Sequence, residues 1–122
     1  MGWAPQHPRT VGATVRDELA LYGDAVDRYL DALGLRALEA ADPARLSPGE
    51  LRRLAVARAL LRLDAGATVI LLDEPTAHLD DAAAAAVLEL IADAGLRASV
   101  VVASHDAAVL ALAGHTVQLG AP

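Results

Sequence analysis

Two acidic side chains stand next to each other in this sequence, and a histidine follows them further along the chain. Asp73 and Glu74 come directly after the β-branched and aliphatic residues 68–72, and His105 comes after residues 99–103. Short aliphatic and β-branched runs are typical of strands inside a sheet. Because ligands of open parallel sheets bind beyond the carboxyl ends of the strands, the three side chains are predicted to share one edge. Two carboxylates and an imidazole there suit Mg²⁺ binding, activation of water and contact with phosphate.

The residues around the acid pair predict a strand, a helix and a second strand. Residues 68–72 and 99–103 have the pattern of strands covered on both faces, and the Ala-rich residues 81–94 between them predict a helix. Such a unit crosses over with right-handed connectivity, which makes its two strands parallel. A short helix at 107–112 and a last strand at 115–119 complete this part.

The first half of the chain predicts helices without strands. Residues 3–14 are rich in Pro and Gly and are expected to form a loop. Helical periodicity begins at about Val15, and Asp24 is placed to cap a helix that runs to Leu33 and ends at Gly34. The predicted fold class is therefore α/β: a partial parallel sheet flanked by helices, with a small α-helical subdomain in front of it.

A second set of residues that could bind a ligand lies at the start of a predicted helix that ends near Leu63. Ser47 suits the N-cap, Pro48 the first helical position, and Glu50 can close a capping box with Ser47. Next to Gly49, the free N–H groups and the positive end of the helix dipole are available to an anion. This segment predicts a helix start with an anion contact.

Composition restricts the classes of function. The 122 residues carry a formal net charge of −6 and include one Trp, two Tyr and no Phe. Negative charge repels phosphate backbones and few rings are available for stacking, so nucleic acid is not an expected partner. There is no Cys, which excludes disulfides and thiolate metal sites and suits a reducing compartment. A chain of this length is expected to fold as one unit.

The motifs together resemble the ATP-binding-cassette (ABC) ATPases. Residues 69–80, Val-Ile-Leu-Leu-Asp-Glu-Pro-Thr-Ala-His-Leu-Asp, are similar to the Walker B and D-loop segment of that family. Leu-Ser-Pro-Gly-Glu at 46–50 resembles its signature motif, His105 its switch histidine, and Gln6 its Q-loop glutamine. The resemblance implies a partial P-loop NTPase-type sheet, in which the helical subdomain precedes the signature helix.

The resemblance also divides the chain and assigns functional residues. It implies a Q-loop region in 1–14, a helical subdomain with the signature helix in 15–63, and a Walker B, D-loop and switch-histidine part in 64–122. The implied cofactors are ATP and Mg²⁺. The implied metal ligands are Asp73 and Gln6, and the implied catalytic residues are Glu74, as general base, and His105. The implied contacts with nucleotide are made by Gln6, Ser47, Gly49, Glu50 and Asp80.

The function that the resemblance implies is ATP binding and hydrolysis that energises an ABC membrane transporter. The implied partners are a second nucleotide-binding domain and transmembrane permease domains, and the implied location is the cytoplasmic side of the plasma membrane. Residues 72–80 with the Pro-Gln-His-Pro opening resemble bacterial exporters of cysteine and glutathione, whereas the short segment between Gln6 and the signature is closer to importer ATPases. Two alternatives stay open: a non-catalytic half-domain that dimerises or regulates, and a soluble ABC ATPase unconnected with transport.

The sequence departs from the family pattern at the signature and at the P-loop. Pro48 and Glu50 stand where the usual form has Gly and Gln, which removes an N–H donor and adds a negative charge near the phosphates. The P-loop of the family needs a Lys, and this chain has none. We therefore predict that the isolated chain neither binds ATP tightly nor hydrolyses it.

Overall fold

The sheet has three parallel strands. A computed structural model describes residues 2–4 and 9–114, in which β1 (Gly2–Ala4), β2 (Val69–Asp73) and β3 (Ser99–Ala103) lie in the order β1-β2-β3. Parallel pairing joins β1 to β2 and β2 to β3. The predicted α/β fold class and the parallel strand–helix–strand unit are confirmed. Gln6 and the strand predicted at 115–119 lie outside the described residues.

The helices follow the predicted order. The described residues form α1 (Val15–Ala20), α2 (Val26–Ala32), α3 (Pro48–Asp64), α4 (Asp81–Gly95) and α5 (Ala107–Leu110), with short 3-10 turns at Arg36–Leu38 and Pro43–Arg45. None of these helices is long and apolar enough to cross a membrane. The prediction that Asp24 caps α2 is wrong, because the N-cap is Ala25 and no side chain caps it. Burial of Val26, Tyr29 and Leu30 sets the register of this helix instead.

The start of the predicted loop at residues 3–14 is a strand. Gly2–Ala4 pairs with β2, so the prediction of a loop is wrong there. A Cβ atom at position 2 would stand 2.6 Å from the carbonyl oxygen of Ala59 on α3. Glycine therefore allows this strand to lie directly against the helix.

In the described part of the chain, one face of the sheet is covered and the other is open. Right-handed crossovers between strands in consecutive order place α3 and α4 on the same face, where Ile70 and Leu72 are buried. The opposite face carries Trp3, Leu71 and Val101, which lie in register across the three strands. Trp3 is 60% exposed and Val101 is 56% exposed. Among the described residues, the expectation that β2 and β3 are covered on both faces is therefore wrong.

The long helix α3 connects the helical layer to the sheet. It contacts β1 and β2 on one side and α1, α2 and α4 on the others. Its residues Leu54, Val56, Leu60 and Leu61 are all buried, and full burial of such a side chain stabilises the fold by roughly 1.5–3 kcal/mol. Because α3 is held on nearly all sides, its first turn has a fixed position relative to the carboxyl edge of the sheet.

Candidate functional site

The acid pair lies at the carboxyl end of β2, as predicted. Asp73 is the last residue of the strand, and Glu74 follows it with a backbone φ of 49°. A positive φ is uncommon for a residue with a side chain and costs about 1–3 kcal/mol, so it persists only where the surroundings hold it. The amide of Glu74 donates to the carbonyl oxygen of Ala103 at 2.8 Å. This bond ties the residue after β2 to the end of β3.

The structure brings His105 and Glu74 together. The His105 Nε2 atom lies 3.7 Å from Glu74 Oε1, with the imidazole exposed and the carboxylate largely covered. This separation exceeds the length of a direct hydrogen bond. The two side chains form an ion pair when the imidazole is protonated. A carboxylate and an imidazole at this spacing can orient a water molecule or contact a phosphate oxygen.

A hydrogen bond links the two loops that carry these side chains. The Thr76 hydroxyl donates to Asp106 Oδ2 at 2.7 Å, and the Asp106 amide donates to Ser104 Oγ at 2.9 Å. The bond from Thr76 is the main reason that the pKa of Asp106 lies below its ordinary value, and the amide of Ala108 adds to the effect. The loop after β2 is thereby fastened to the loop after β3.

Arg52 of α3 bonds to the main chain of the acid pair, and it was not among the predicted site residues. Its Nη1 donates to the main-chain oxygen of Asp73 at 3.0 Å. Burial lowers the pKa of Arg52, and the charges of Asp73 and Glu74 oppose that effect. The available signal was helical spacing, because Arg52 shares a face of α3 with Val56 and Ala59, and both of these are buried.

The capping box predicted at the start of α3 is confirmed. Ser47 Oγ accepts from the Glu50 amide at 3.2 Å, and Glu50 Oε1 accepts from the Ser47 amide at 2.9 Å. The Glu50 carboxylate is therefore turned back onto its own helix start. A Cβ atom on Gly49 would stand 2.7 Å from the carbonyl oxygen of His78. Glycine thus lets residues 46–50, named here the signature segment after the motif that they resemble, approach the loop that precedes α4.

These two segments enclose an open cavity of about 410 Å³. Asp80 lies in it and also caps α4, where its Oδ1 accepts from the Ala83 amide at 2.8 Å. Neither Glu74 nor His105 lines this cavity. The site residues predicted from the sequence therefore fall into two groups, the acid pair with His105 and the cavity group. The cavity group consists of Ser47, Gly49, Glu50 and Asp80.

The acid pair fits a metal ion held jointly with phosphate. Within the described residues, no cluster of three or more His, Asp or Glu side chains could hold a metal ion. Asp73 and Glu74 provide carboxylate oxygens at the edge of the sheet, and Mg²⁺ is commonly bound by one or two carboxylates together with substrate phosphates and water. The donor set therefore suits Mg²⁺ that arrives with a nucleotide. Gln6, the other predicted ligand, lies outside the described residues.

Comparison with known proteins agrees with the resemblance. A family model described as "AAA domain, putative AbiEii toxin, Type IV TA system" matches residues 18–111. The chain is 35% identical over 115 residues to the glutathione/L-cysteine transport system ATP-binding/permease protein CydC of Escherichia coli, covering 83% of this chain and 20% of that protein. It is 34% identical over 141 residues to the zinc import ATP-binding protein ZnuC of Brucella suis, covering 100% of this chain and 46% of that protein.

A solved structure also has this fold. The dimeric structure of MJ0796, a bacterial ABC transporter cassette, superimposes with a TM-score of 0.74 at 25% identity, covering 92% of this chain and 55% of that one. A further structure of MJ0796 is described as bound to ADP and Pi. The chain spans 20% of CydC and 46% of ZnuC. The chain therefore belongs to the family that this model describes, and its relatives and its fold are those of ABC ATPase domains.

Proposed function

We propose that this chain is the part of an ABC ATPase domain that supplies the general base, the phosphate sensor and the signature segment for ATP hydrolysis. The observation that supports this most strongly is the pairing of Glu74 with His105 at 3.7 Å, at the carboxyl edge of a parallel sheet. In such folds that edge is where ligands bind. The hydrolysis energises a membrane transporter, as in the relatives whose names describe transport.

Each residue of the acid pair has its own part in the proposed reaction. Glu74 orients the attacking water and accepts its proton, while His105 contacts the γ-phosphate. Asp73, together with Gln6, would hold Mg²⁺, which neutralises charge on the phosphates when it is bound. The bond between the Asp106 carboxylate and Thr76 keeps the two loops in place. The chemistry that this chain supplies is therefore positioning and proton acceptance.

The open face of the sheet supports the proposal that a longer protein completes the ATP site. Hydrolysis needs a P-loop whose backbone and Lys hold the phosphates, and the 122 residues of this chain contain no Lys. Trp3, Leu71 and Val101 form an apolar row on the open face. Burying such a row stabilises an interface by about 25 cal/mol per Å². We infer that the P-loop segment packs on this face and beside the edge of β3 that has no neighbouring strand among the described residues.

The cavity at the signature segment is proposed to face a second nucleotide-binding domain. Ser47 and Gly49 line it together with Asp80, and MJ0796 is described as dimeric. Pro48 donates no N–H, and Glu50 is engaged in the capping box. We propose that the contact with the partner's γ-phosphate is made by Ser47 and Gly49 and is weaker than in a Gly-rich signature.

The proposed setting is the cytoplasmic face of the plasma membrane, with transmembrane permease domains as partners. Within the family we propose the thiol-reductant exporter branch, which the similarity to CydC supports. The similarity to ZnuC is of the same order and indicates an importer. Uptake and export of cysteine and glutathione by vesicles that contain the full-length protein distinguish the two directions.

ATP hydrolysis by the full-length protein tests the proposed function. We expect Mg²⁺-dependent hydrolysis in the wild type and a loss of roughly 10²- to 10⁴-fold in Glu74→Gln, the range that general bases contribute. Glu89→Gln is the matched control, because Glu89 is an exposed carboxylate on α4. A wild-type protein that binds ATP without hydrolysing it would contradict the proposal and favour a non-catalytic, regulatory domain.

A further inference from the structure

The peptide bond between Asp73 and Glu74 is held at both of its polar atoms. Its carbonyl oxygen accepts from Arg52 Nη1 at 3.0 Å, and its N–H donates to the oxygen of Ala103 at 2.8 Å. Because a peptide unit is planar, two such bonds fix its rotation about the chain. The direction of the Glu74 side chain depends on that rotation, since the residue that follows the peptide has a φ of 49°.

Arg52 is an unusual side chain for this position. It is buried, and its Nε atom has no hydrogen-bond partner among the described residues. A buried guanidinium destabilises a fold unless hydrogen bonds and opposite charges compensate for lost hydration. Here the compensation comes from the Asp73 oxygen and from the nearby carboxylates of Asp73 and Glu74. The groups that compensate for the burial of Arg52 thus belong to the acid pair.

We propose that Arg52 is a positioning residue for the general base. It acts through the Asp73 carbonyl oxygen: the guanidinium holds the Asp73–Glu74 peptide, which holds Glu74 in its left-handed conformation and aims the carboxylate beside His105. Arg52 lies on the helix that begins at Ser47, so the same side chain joins the signature segment to the acid pair. The catalytic consequence rests on the proposed function of Glu74, whereas the structural link does not.

The neighbouring arginine offers a matched control for the structural link. Arg53 also has a buried Nε without a partner in the described part of the chain, and its Nη1 donates to the main-chain oxygen of Leu33 at 2.9 Å. The two arginines therefore make the same type of bond from adjacent positions of α3. Only the bond from Arg52 reaches the acid pair.

Hydrogen exchange of the Glu74 amide, measured on the full-length protein without nucleotide, tests the link. The loss of a hydrogen bond to a charged donor predicts exchange roughly ten- to a hundredfold faster in Arg52→Met. The rate at the amide of buried Leu60 is measured in parallel and reports global destabilisation, and the rate at Glu74 is compared at conditions where all variants have the same Leu60 rate. Arg53→Met should leave the rate at Glu74 unchanged, and Arg52→Lys, whose ammonium can donate to the same oxygen, should restore part of the protection. An unchanged rate at Glu74 in Arg52→Met would overturn the proposal.

Steady-state kinetics tests the catalytic consequence. We expect Arg52→Met to lower kcat about a hundredfold, the effect of displacing a reacting group by roughly 1 Å, with little change in KM for ATP. In a Glu74→Gln background the same substitution should cost almost nothing more, because the two residues act as one unit. Equal losses in both backgrounds would overturn the proposal while leaving the role of Glu74 intact. An inactive wild type would instead refute the proposed function, and the exchange experiment would still decide the role of Arg52.

Discussion

The pair formed by Glu18 and Arg58 provides the sharpest prediction on stability. Glu18 is 0% exposed and Arg58 is 4% exposed, and Arg58 Nη1 lies 3.8 Å from Glu18 Oε1. The same carboxylate oxygen accepts from the Val11 amide at 2.7 Å, and Arg58 donates to the oxygen of Arg9 at 2.6 Å. The pair thus fastens the segment before α1 to the middle of α3.

Removal of the Glu18 carboxylate leaves a buried charge without its partner. Breaking one side of a buried pair costs roughly 3–5 kcal/mol, so Glu18→Ala should lower the free energy of unfolding by that amount. Glu18→Gln keeps an acceptor for the Val11 amide but not the charge, and we expect a smaller loss of about 1–3 kcal/mol. The Arg58→Met and Glu18→Gln double variant should lose less than the sum of the two single losses, because the residues are coupled.

Equilibrium unfolding in urea measures these free energies. Exposed Glu89 provides the control, since substitution of a surface residue by Ala usually changes stability by about 0.5 kcal/mol or less. A loss below about 1 kcal/mol in Glu18→Ala would refute the reasoning, because that is the magnitude of an ordinary hydrogen bond rather than of a broken buried pair.

Three further predictions concern the helical layer and the signature segment. Burial and a 2.6 Å bond to Asp64 raise the pKa of Tyr29 to about 12. The raised pKa stabilises the fold, and this contribution is complete at a pH below about 10, the pKa of Tyr in the unfolded chain. This contribution should be lost between about pH 10 and about pH 12, and urea unfolding of Tyr29→Phe should not show that loss. Ser47→Ala removes the cap of α3 and should lower the free energy of unfolding in urea by about 0.5–2 kcal/mol. Ser47→Asp should retain most of the stability that the cap contributes. Gly49→Ala would bring a Cβ within 2.7 Å of the His78 oxygen and should weaken ATP-dependent dimerisation in light scattering; unchanged dimerisation would exclude the close approach.

The start of α3 shows what the sequence could predict. Ser47, Pro48 and Glu50 determine the cap, the first turn and the reciprocal bond through contacts within one turn, and each is present in the structure. The acid pair and His105 were also placed together correctly, because the end of each strand could be located from its aliphatic run. These predictions depend on short-range chemistry and on the parallel direction of β2 and β3.

The features that the sequence did not reveal depend on contacts between distant segments. Strand β1 exists because it pairs with β2 and because Gly2 lets it lie against α3. The bonds from Arg52 to Asp73 and from Thr76 to Asp106 join residues whose proximity appears only in the folded chain. Asp24 has the side chain of a good cap, yet burial of Tyr29 and Leu30 sets the start of α2. At β1 and at the start of α2 tertiary contacts override the local preference, and the two long-range bonds have no local signal.

The most direct test of the central claim is the fate of bound ATP in a single turnover by the full-length protein. With Mg²⁺ present, Glu74→Gln should bind ATP and retain it as ATP, whereas the wild type converts it to ADP and phosphate. We predict this difference because the amide cannot accept a proton from the attacking water. Conversion of bound ATP by Glu74→Gln at the wild-type rate would contradict the assignment of Glu74 as the general base.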